Sequence, residues 1–314
     1  MEANPRQARS TTSESMHRPS LRCRKRALEG QPFPRLLPTP APRLAGHGGL
    51  PTIAPLPPFP MASQWQNFLR NLGEWRGSFT TISAGGEVLE SHPSVLTLAA
   101  GDDDDPLVRF SLQRWPAGTA IATGGGPAPG AGEPSRAMEQ DYRTLGRQVV
   151  FFDSGTFNKG SLQVAPNTVF GGEFGFIAAD RRHRIVQLYS PDGRFDQLVL
   201  IREFRAGSDA AEAAPASAEQ LLGRWQGQSA TISADWHEAD TSDVQLELGH
   251  AELEALRLLP DGGFVRLPEQ VSHRAAFELV GGWLPAPGRM ERLIRRYDAT
   301  GAWVSASHEV LERV

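Results

Sequence analysis

One short pattern occurs twice in the chain, and no other feature constrains the fold as much. "NLGEWRGSFTTIS" begins at Asn71 and "LLGRWQGQSATIS" at Leu221. Leu72, Gly73, Trp75, Gly77, Thr81, Ile82 and Ser83 recur as Leu222, Gly223, Trp225, Gly227, Thr231, Ile232 and Ser233. A helical signal precedes each copy. Trp65, Phe68, Leu69 and Leu72 fall at i, i+3, i+4 and i+7, the apolar stripe of a short amphipathic helix, with Ser63 as its cap. In the second copy Ser217 takes the cap position, and Leu221 and Leu222 form a shorter apolar turn. A glycine ends each helix, and the aromatic and β-branched run that follows reads as a strand.

Short apolar runs then follow, separated by turn signals at the spacing of an up-and-down sheet or barrel. Among them are "PLVRFSLQRW", "EFGFIAA" and "HRIVQLY" in the first half, and "GGFVRL", "AAFELVGGWL" and "MERLIRRYD" in the second. Residues 116–136 are Gly- and Pro-rich and read as a mobile loop. The two halves also end alike. Tyr189 matches Tyr297, Gly193 matches Gly301, Phe195 matches Trp303 and, with a one-residue offset, Glu203 matches Glu312. A shared start and finish imply two domains of one ancestry. The expected organisation is a Pro/Arg-rich disordered tail or leader (1–60), a first barrel (61–205), a linker (206–216) and a second barrel (217–314).

Composition narrows the function. Residues 1–60 hold 12 of the 25 prolines, with nine basic and three acidic residues. Such a segment buries too little apolar area to offset the cost of ordering, and a leader, a disordered tail and a transit peptide all fit it. The rest carries 23 basic against 33 acidic residues, an acidic balance that argues against nucleic-acid binding. Cys23 is the one cysteine, so disulfides, cysteine nucleophiles and thiolate metal sites are excluded from residues 61–314. No apolar run approaches the roughly 18 residues of a membrane span.

A short helix, Gly-x-Trp on the first strand and about eight antiparallel strands together resemble the calycin superfamily, which includes lipocalins, fatty-acid-binding proteins and S-type phycobilin lyases. The resemblance implies an all-β fold of two tandem calycin-like (lipocalin-like) antiparallel β-barrels, each preceded by a short helix. It also implies that the tryptophan closes one barrel end beneath a basic side chain from the last strand: Trp75 with Arg202 or Arg205, and Trp225 with Arg313. "FFDSGTFNKGSLQ", "FGGEFGFIAADRRHRIVQLY" and "LVLIREFR" resemble, more narrowly, an uncharacterised calycin-like family of cyanobacteria and plastids, a domain of unknown function. That likeness covers about residues 64–314 and supplies no catalytic residue. It implies a cyanobacterial cytoplasm, or a plastid stroma if residues 1–60 are a transit peptide. "LPDGGFVRLPEQ", "FELVGGWL" and "RMERLIRRYDATG" are similar in order to the phycobilin lyases, which implies a bilin and a phycobiliprotein partner as one alternative.

The chain has no nucleophile elbow, phosphate loop, dinucleotide fingerprint or His-Glu-x-x-His. Asp153-Ser154-Gly155 reads as a turn, as does the acidic run 102–105 before Pro106, and the loop with Asp235, His237 and Glu238 reads as solvated, so no metal site is expected. The binding candidates come from strand alternation. Glu173 lies either at a polar spot in a cavity or on the outer face. Phe174, Phe176 and Trp283, with Phe110, Trp115, Phe151, Phe157 and Trp303, either line a pocket or fill the interior. In the strand beginning at Arg289, that residue and Arg295 share one face and Arg292 takes the other; an inward arginine would clamp a carboxylate through two parallel hydrogen bonds. The expected function is non-enzymatic binding of an apolar or amphipathic small ligand, a tetrapyrrole or a fatty acid. The alternatives are a bilin lyase or chaperone, and a structural or interaction protein with filled barrels.

Overall fold

The computed structural model describes residues 63–101, 106–235 and 238–314. The tail or leader, Cys23, the acidic run 102–105 and His237 lie outside them. The first half runs α1 (Gln64–Leu69), β1 (Gly73–Ser83), β2 (Val88–Ala100), β3 (Val108–Arg114), β4 (Arg136–Tyr142), β5 (Val149–Phe151), β6 (Phe157–Gly160), β7 (Phe170–Ala178), β8 (Arg181–Tyr189) and β9 (Phe195–Arg205). The second half runs α2 (Ala218–Leu221), β10 (Gly223–Ser233), β11 (Asp240–Leu248), α3 (His250–Glu254), β12 (Arg257–Leu258), β13 (Gly263–Arg266), β14 (Phe277–Ala286), β15 (Arg289–Tyr297) and β16 (Trp303–Arg313).

The helices that precede the two repeats, α1 and α2, begin with a capping box, Ser63 with Gln66 and Ser217 with Gln220. All ladders are antiparallel. The sheets are ordered β4-β3-β2-β1-β9-β8-β7-β6-β5 and β11-β10-β16-β15-β14-β13-β12. Among the described residues no ladder joins β4 to β5 or β11 to β12, so the first sheet is a curled half-barrel and the second is likewise open. The expected closed barrels therefore differ from the observed ladders, and the reason lies in what covers each sheet. A closed barrel buries its inner face alone, whereas the central strands β7–β9 and β14–β16 are buried on both faces and the edge strands β4 and β11 stay largely exposed. Residues 150, 151 and 152 of "VFF" illustrate the two-sided burial. Val150 and Phe152 belong to one apolar cluster and Phe151 to another, as the period-2 side-chain alternation requires.

One face of each sheet carries its repeat tryptophan. Trp75 packs with Phe68, Leu96, Leu98, Phe151 and Ile177; Trp225 packs with Leu221, Leu248, Phe264, Met290 and Leu311. The opposite faces meet each other in the largest cluster, which joins Phe174, Phe176, Ile185 and Leu200 of the first half to Leu279, Trp283, Leu293 and Trp303 of the second. The segment 206–216 is fastened across this junction: Glu212 pairs with Arg202, and the Ala213 amide donates to Asp261 (2.7 Å). The Gly/Pro-rich loop is anchored too, with Trp115 Nε1 donating to the Gly132 carbonyl (2.8 Å) and a bridge between Ile121 and Pro127.

Strand registers show that the repeat extends through the sheets. Trp75 pairs with Arg205 as Trp225 pairs with Arg313. Counting outward from these pairs, Arg184–Gly175–Phe157 in the first half corresponds to Arg292–Gly282–Phe264 in the second. By the same register Glu203 corresponds to Leu311, which corrects the match with Glu312 read from the sequence. Across the shared face, corresponding residues touch. The Phe170 and Phe277 rings are 5.7 Å apart, and those of Phe176 and Trp283 are 6.3 Å apart. Leu279 occupies the space a side chain at Gly172 would need, and Phe174 occupies that of Gly281. The halves are thus related by a pseudo-twofold along β7 and β14, as the subunits of an isologous dimer are.

Candidate functional site

Each tryptophan is fixed by its own repeat. Trp75 Nε1 donates to the Asn71 carbonyl (2.9 Å) and Trp225 Nε1 to the Leu221 carbonyl (2.8 Å), four residues back in both. The Arg205 guanidinium lies 4.4 Å from the Trp75 ring and also donates to the Leu72 carbonyl. Arg313 lies 5.2 Å from Trp225 and donates to the corresponding Leu222 carbonyl. Arg202 is elsewhere, bound to Glu212, Ser78 and Thr80, and Arg182 takes the second place near Trp75 at 4.6 Å.

Above Trp75, its face carries a charge network. Arg182 pairs with Glu203 (2.7 Å), and Arg184 bridges Glu203 (3.3 Å) and Glu173 (2.8 Å). Lys159 approaches Glu173 from the next strand (3.8 Å). Burial alone would raise the Glu173 pKa, but Arg184 and Lys159 outweigh it and hold the carboxyl below its ordinary range. Burial opposes the Arg184 charge in turn, and Glu173 and Glu203 overcome it, so its pKa is raised. The network thus holds three cations, Arg182, Arg184 and Lys159, around two carboxylates, with Glu173 and Arg184 each stabilising the other's charge.

The Trp225 face differs. Arg292 (β15), Arg296 (β15) and Arg266 (β13) converge there with Glu309 and Glu278, three cations against two carboxylates. Arg266 and Glu278 pair, and Arg296 reaches Glu278 (3.5 Å) and Ser307 Oγ (2.8 Å). Arg292 Nη1 lies 3.1 Å from Glu309 Oε2, yet that oxygen has no hydrogen-bond partner, so the approach is oblique. Burial chiefly lowers the Arg292 pKa; Glu309 counters this, and Arg266 and Arg296 lower it further. An open cleft of about 360 Å³, lined by Arg266, Leu267, Pro268 and Glu278, adjoins the group. Both faces thus carry three cations and two carboxylates, and on the Trp225 face Arg266 and Glu278 open onto a cleft.

The other sequence candidates fall in several places. Glu173 is on the Trp75 face. Phe174, Phe176 and Trp283 are wholly buried in the shared face, away from it. Arg289 lies at the sheet end near Glu291 and Glu312. Arg295 is fully buried between the halves, where it donates to Tyr297 Oη (2.8 Å), Asn158 Oδ1 (3.0 Å) and the Gly160 carbonyl (3.2 Å), with its guanidinium 4.5 Å from the Trp303 ring. The structure brings Arg292 together with Arg266, Arg296, Glu278 and Glu309, residues outside the sequence-derived binding set. Only Arg266 left a local mark, "GGFVRL" repeating the phenylalanine-x-cation of "TFNKG", and its place beside Glu278 follows from the strand register. Residues 153 and 154 lie in a turn, and no group of three or more metal-ligating side chains occurs among the described residues. Among those residues no helix is long and apolar enough to cross a membrane.

Architecture and site define a duplicated all-β protein in which two open sheets share one core and one tryptophan face carries an accessible arginine cluster. The N-terminal-domain model of DUF3598, a domain of unknown function, matches residues 61–208. A crystal structure of a DUF3598 protein of unknown function from Nostoc punctiforme is 32% identical, with a TM-score of 0.70 over 81% of this chain and 100% of that one. The chain belongs to the DUF3598 family. The second half, residues 212–257 and 250–314, matches the C-terminal-domain model of "biogenesis factor required for ATP synthase 1". An S-type phycobiliprotein lyase from Guillardia theta is 15% identical over 45% of this chain and 91% of its own, with a TM-score of 0.29. A comparison with curated proteins gives no match.

Proposed function

We propose that the chain is a non-enzymatic binding protein that holds the acid group of an amphipathic small molecule, a fatty acid or a tetrapyrrole, on its second tryptophan face. One observation carries this reading: Arg266 and Arg296, partly exposed, stand with the more buried Arg292 beside an open cleft of about 360 Å³. Arginine suits the task because its planar fork matches a carboxylate and stays charged when partly buried. The calycin ancestry of both halves belongs to the same reading and is supported by the Trp–Arg pairs in each.

A titration of the full chain with fatty acids, bilin, haem and chlorophyllide tests the proposal. Binding should appear as a thermal or spectral shift and weaken at least tenfold in R292M. No shift with any ligand overturns it. A second reading, attachment to a partner during assembly of a larger complex, is favoured by the match of residues 212–314 to a domain named for ATP synthase biogenesis, and by the openness of the cleft. Affinity capture with wild type and R292M, with ATP synthase and phycobiliprotein subunits as the candidate partners, discriminates it. An arginine-dependent complex without small-molecule binding would replace the first reading.

A further inference from the structure

The two halves differ, position by position, in where one carboxylate stands. In β6, β7 and β8 of the first half, Lys159, Glu173 and Arg184 stand on one face, and the Glu173 carboxylate lies between the two cations, 2.8 Å from Arg184 and 3.8 Å from Lys159. Lys159 pairs with Glu173 across the ladder, and Arg266 pairs with Val280 at the corresponding place in the second half. Arg184 pairs with Gly175 as Arg292 pairs with Gly282. The phenylalanine beside each glycine is kept as well, Phe157 and Phe264, each filling the space of the absent glycine side chain. The second half therefore retains both cations and the scaffold around them, but has Val280 where the first has Glu173.

The two corresponding arginines also differ in electrostatics. Arg184 is stabilised as a cation, whereas the corresponding Arg292 is destabilised, by burial first and then by Arg266 and Arg296. Glu309 and Glu278 compensate in part from different positions, the former corresponding to Ile201 and the latter to Gly171. Neither stands in the register position of Glu173.

We propose that the second half binds a carboxylate between Arg266 and Arg292, above Val280, where the first half holds its own Glu173 carboxylate between Lys159 and Arg184. The first half is then the self-ligated form of the same site. The ligand is an aliphatic carboxylate whose chain leaves along Leu267 and Pro268, the apolar wall of the cleft. The inference rests on the proposed binding function and adds to it the position, the chemical class and a dormant second site.

The test uses the full chain, with ¹³C-carboxyl octanoate followed by NMR and by thermal shift. Wild type should bind one octanoate. Val280→Glu, which supplies the first half's carboxylate internally, should weaken binding at least tenfold. Glu173→Ala should lower the unfolding midpoint, regain part of the loss with millimolar formate, and bind two octanoates. If wild type binds octanoate but V280E binds it equally, or E173A still binds one and gains nothing from formate, the register equivalence is wrong and the proposed function survives. If wild type binds no carboxylate while E173A gains a site, the proposed function fails and the equivalence stands. The arms are independent, so a variant that does not fold leaves the other to decide.

Discussion

Gly77 and Gly227 provide the sharpest test of the shared core. A Cβ at Gly77 would lie 1.9 Å from the Arg202 carbonyl oxygen, and one at Gly227 would lie 1.9 Å from that of Val310. Both obstacles are backbone atoms of the neighbouring last strand, so rotamer changes give no relief. Relaxing from 1.9 Å to an ordinary contact of 3.4 Å requires the strands to part by about 1.5 Å. That separation costs about 1–3 kcal/mol as overpacking. Two weakened ladder hydrogen bonds add about 1 kcal/mol each, so either glycine-to-alanine change should destabilise by about 3–5 kcal/mol. Urea titration of the full chain, followed by tryptophan fluorescence and far-UV circular dichroism, measures this through the midpoint at unchanged slope. Because Phe174, Leu200, Trp283 and Leu293 lie in one cluster, G77A and G227A should each shift a single transition reported alike by both probes. Gly85→Ala, whose Cβ would meet nothing nearer than Ser83 Oγ at 3.6 Å, is the control and should stay within about 0.5 kcal/mol. Two transitions, with G77A moving one of them alone, would refute the shared core; a G77A cost under about 1 kcal/mol would refute the close approach.

Two further outcomes follow from the polar contacts. Buried His183 stacks on Trp283 and lies 3.2 Å from Asp261; burial lowers its pKa below the ordinary 6.5, with Asp261 opposing only in part. The unfolded chain therefore takes up this proton first as pH falls, and stability should decline below about pH 6.5 toward the lower folded pKa. Denaturation midpoints at pH 7.5 and 5.5 should differ more in wild type than in H183Q, and parallel pH curves would remove His183 as the cause. Arg205→Met should cost about 1 kcal/mol and alter the Trp75 fluorescence, because it removes a partly exposed cation from the ring. Arg202→Met should leave that emission unchanged, and the opposite ranking would assign the tryptophan cover to Arg202.

The sequence made the duplication legible because the features that fix each first strand are local. The Ser63 and Ser217 caps, the Trp75 and Trp225 anchors and the strand-interior glycines act over a few residues, and each leaves a readable mark. How the halves associate was not local. Phe174 and Phe176 are equally consistent with a lined pocket and a filled core until it is known that another sheet covers them. The same holds for the arginines of β15. Alternation assigned Arg292 and Arg295 to opposite faces, and the ladders agree. Only the packing places Arg295 among oxygen acceptors between the halves and sets Arg292 against Glu309 on the Trp225 face. The Arg266 and Glu278 positions needed the register of β13 and β14, which the flanking loop lengths do not specify.

Where the two copies differ across the pseudo-twofold, they differ in compensating pairs. The first half has Gly172 and Phe174, and the second has Leu279 and Gly281 at the corresponding places. Each large side chain fills the space opposite a glycine, Leu279 on Gly172 and Phe174 on Gly281. Two first halves packed in this manner would bring two phenylalanines to one point, and two second halves would leave two glycines facing a void. Complementarity of this kind joins unlike copies in preference to like ones. Phe174→Gly alone should cost at least about 3–5 kcal/mol, the scale of emptying a buried phenylalanine site. Gly281→Phe alone drives a ring against Phe174, which already lies 2.6 Å from the position of the added Cβ. In the double variant F174G/G281F a single ring again occupies the space. It should recover about 2–3 kcal/mol relative to the sum of the single changes, the upper range for residues in direct contact. Urea denaturation of all four proteins closes the cycle, and additivity within about 0.5 kcal/mol would show that the two positions do not share one space.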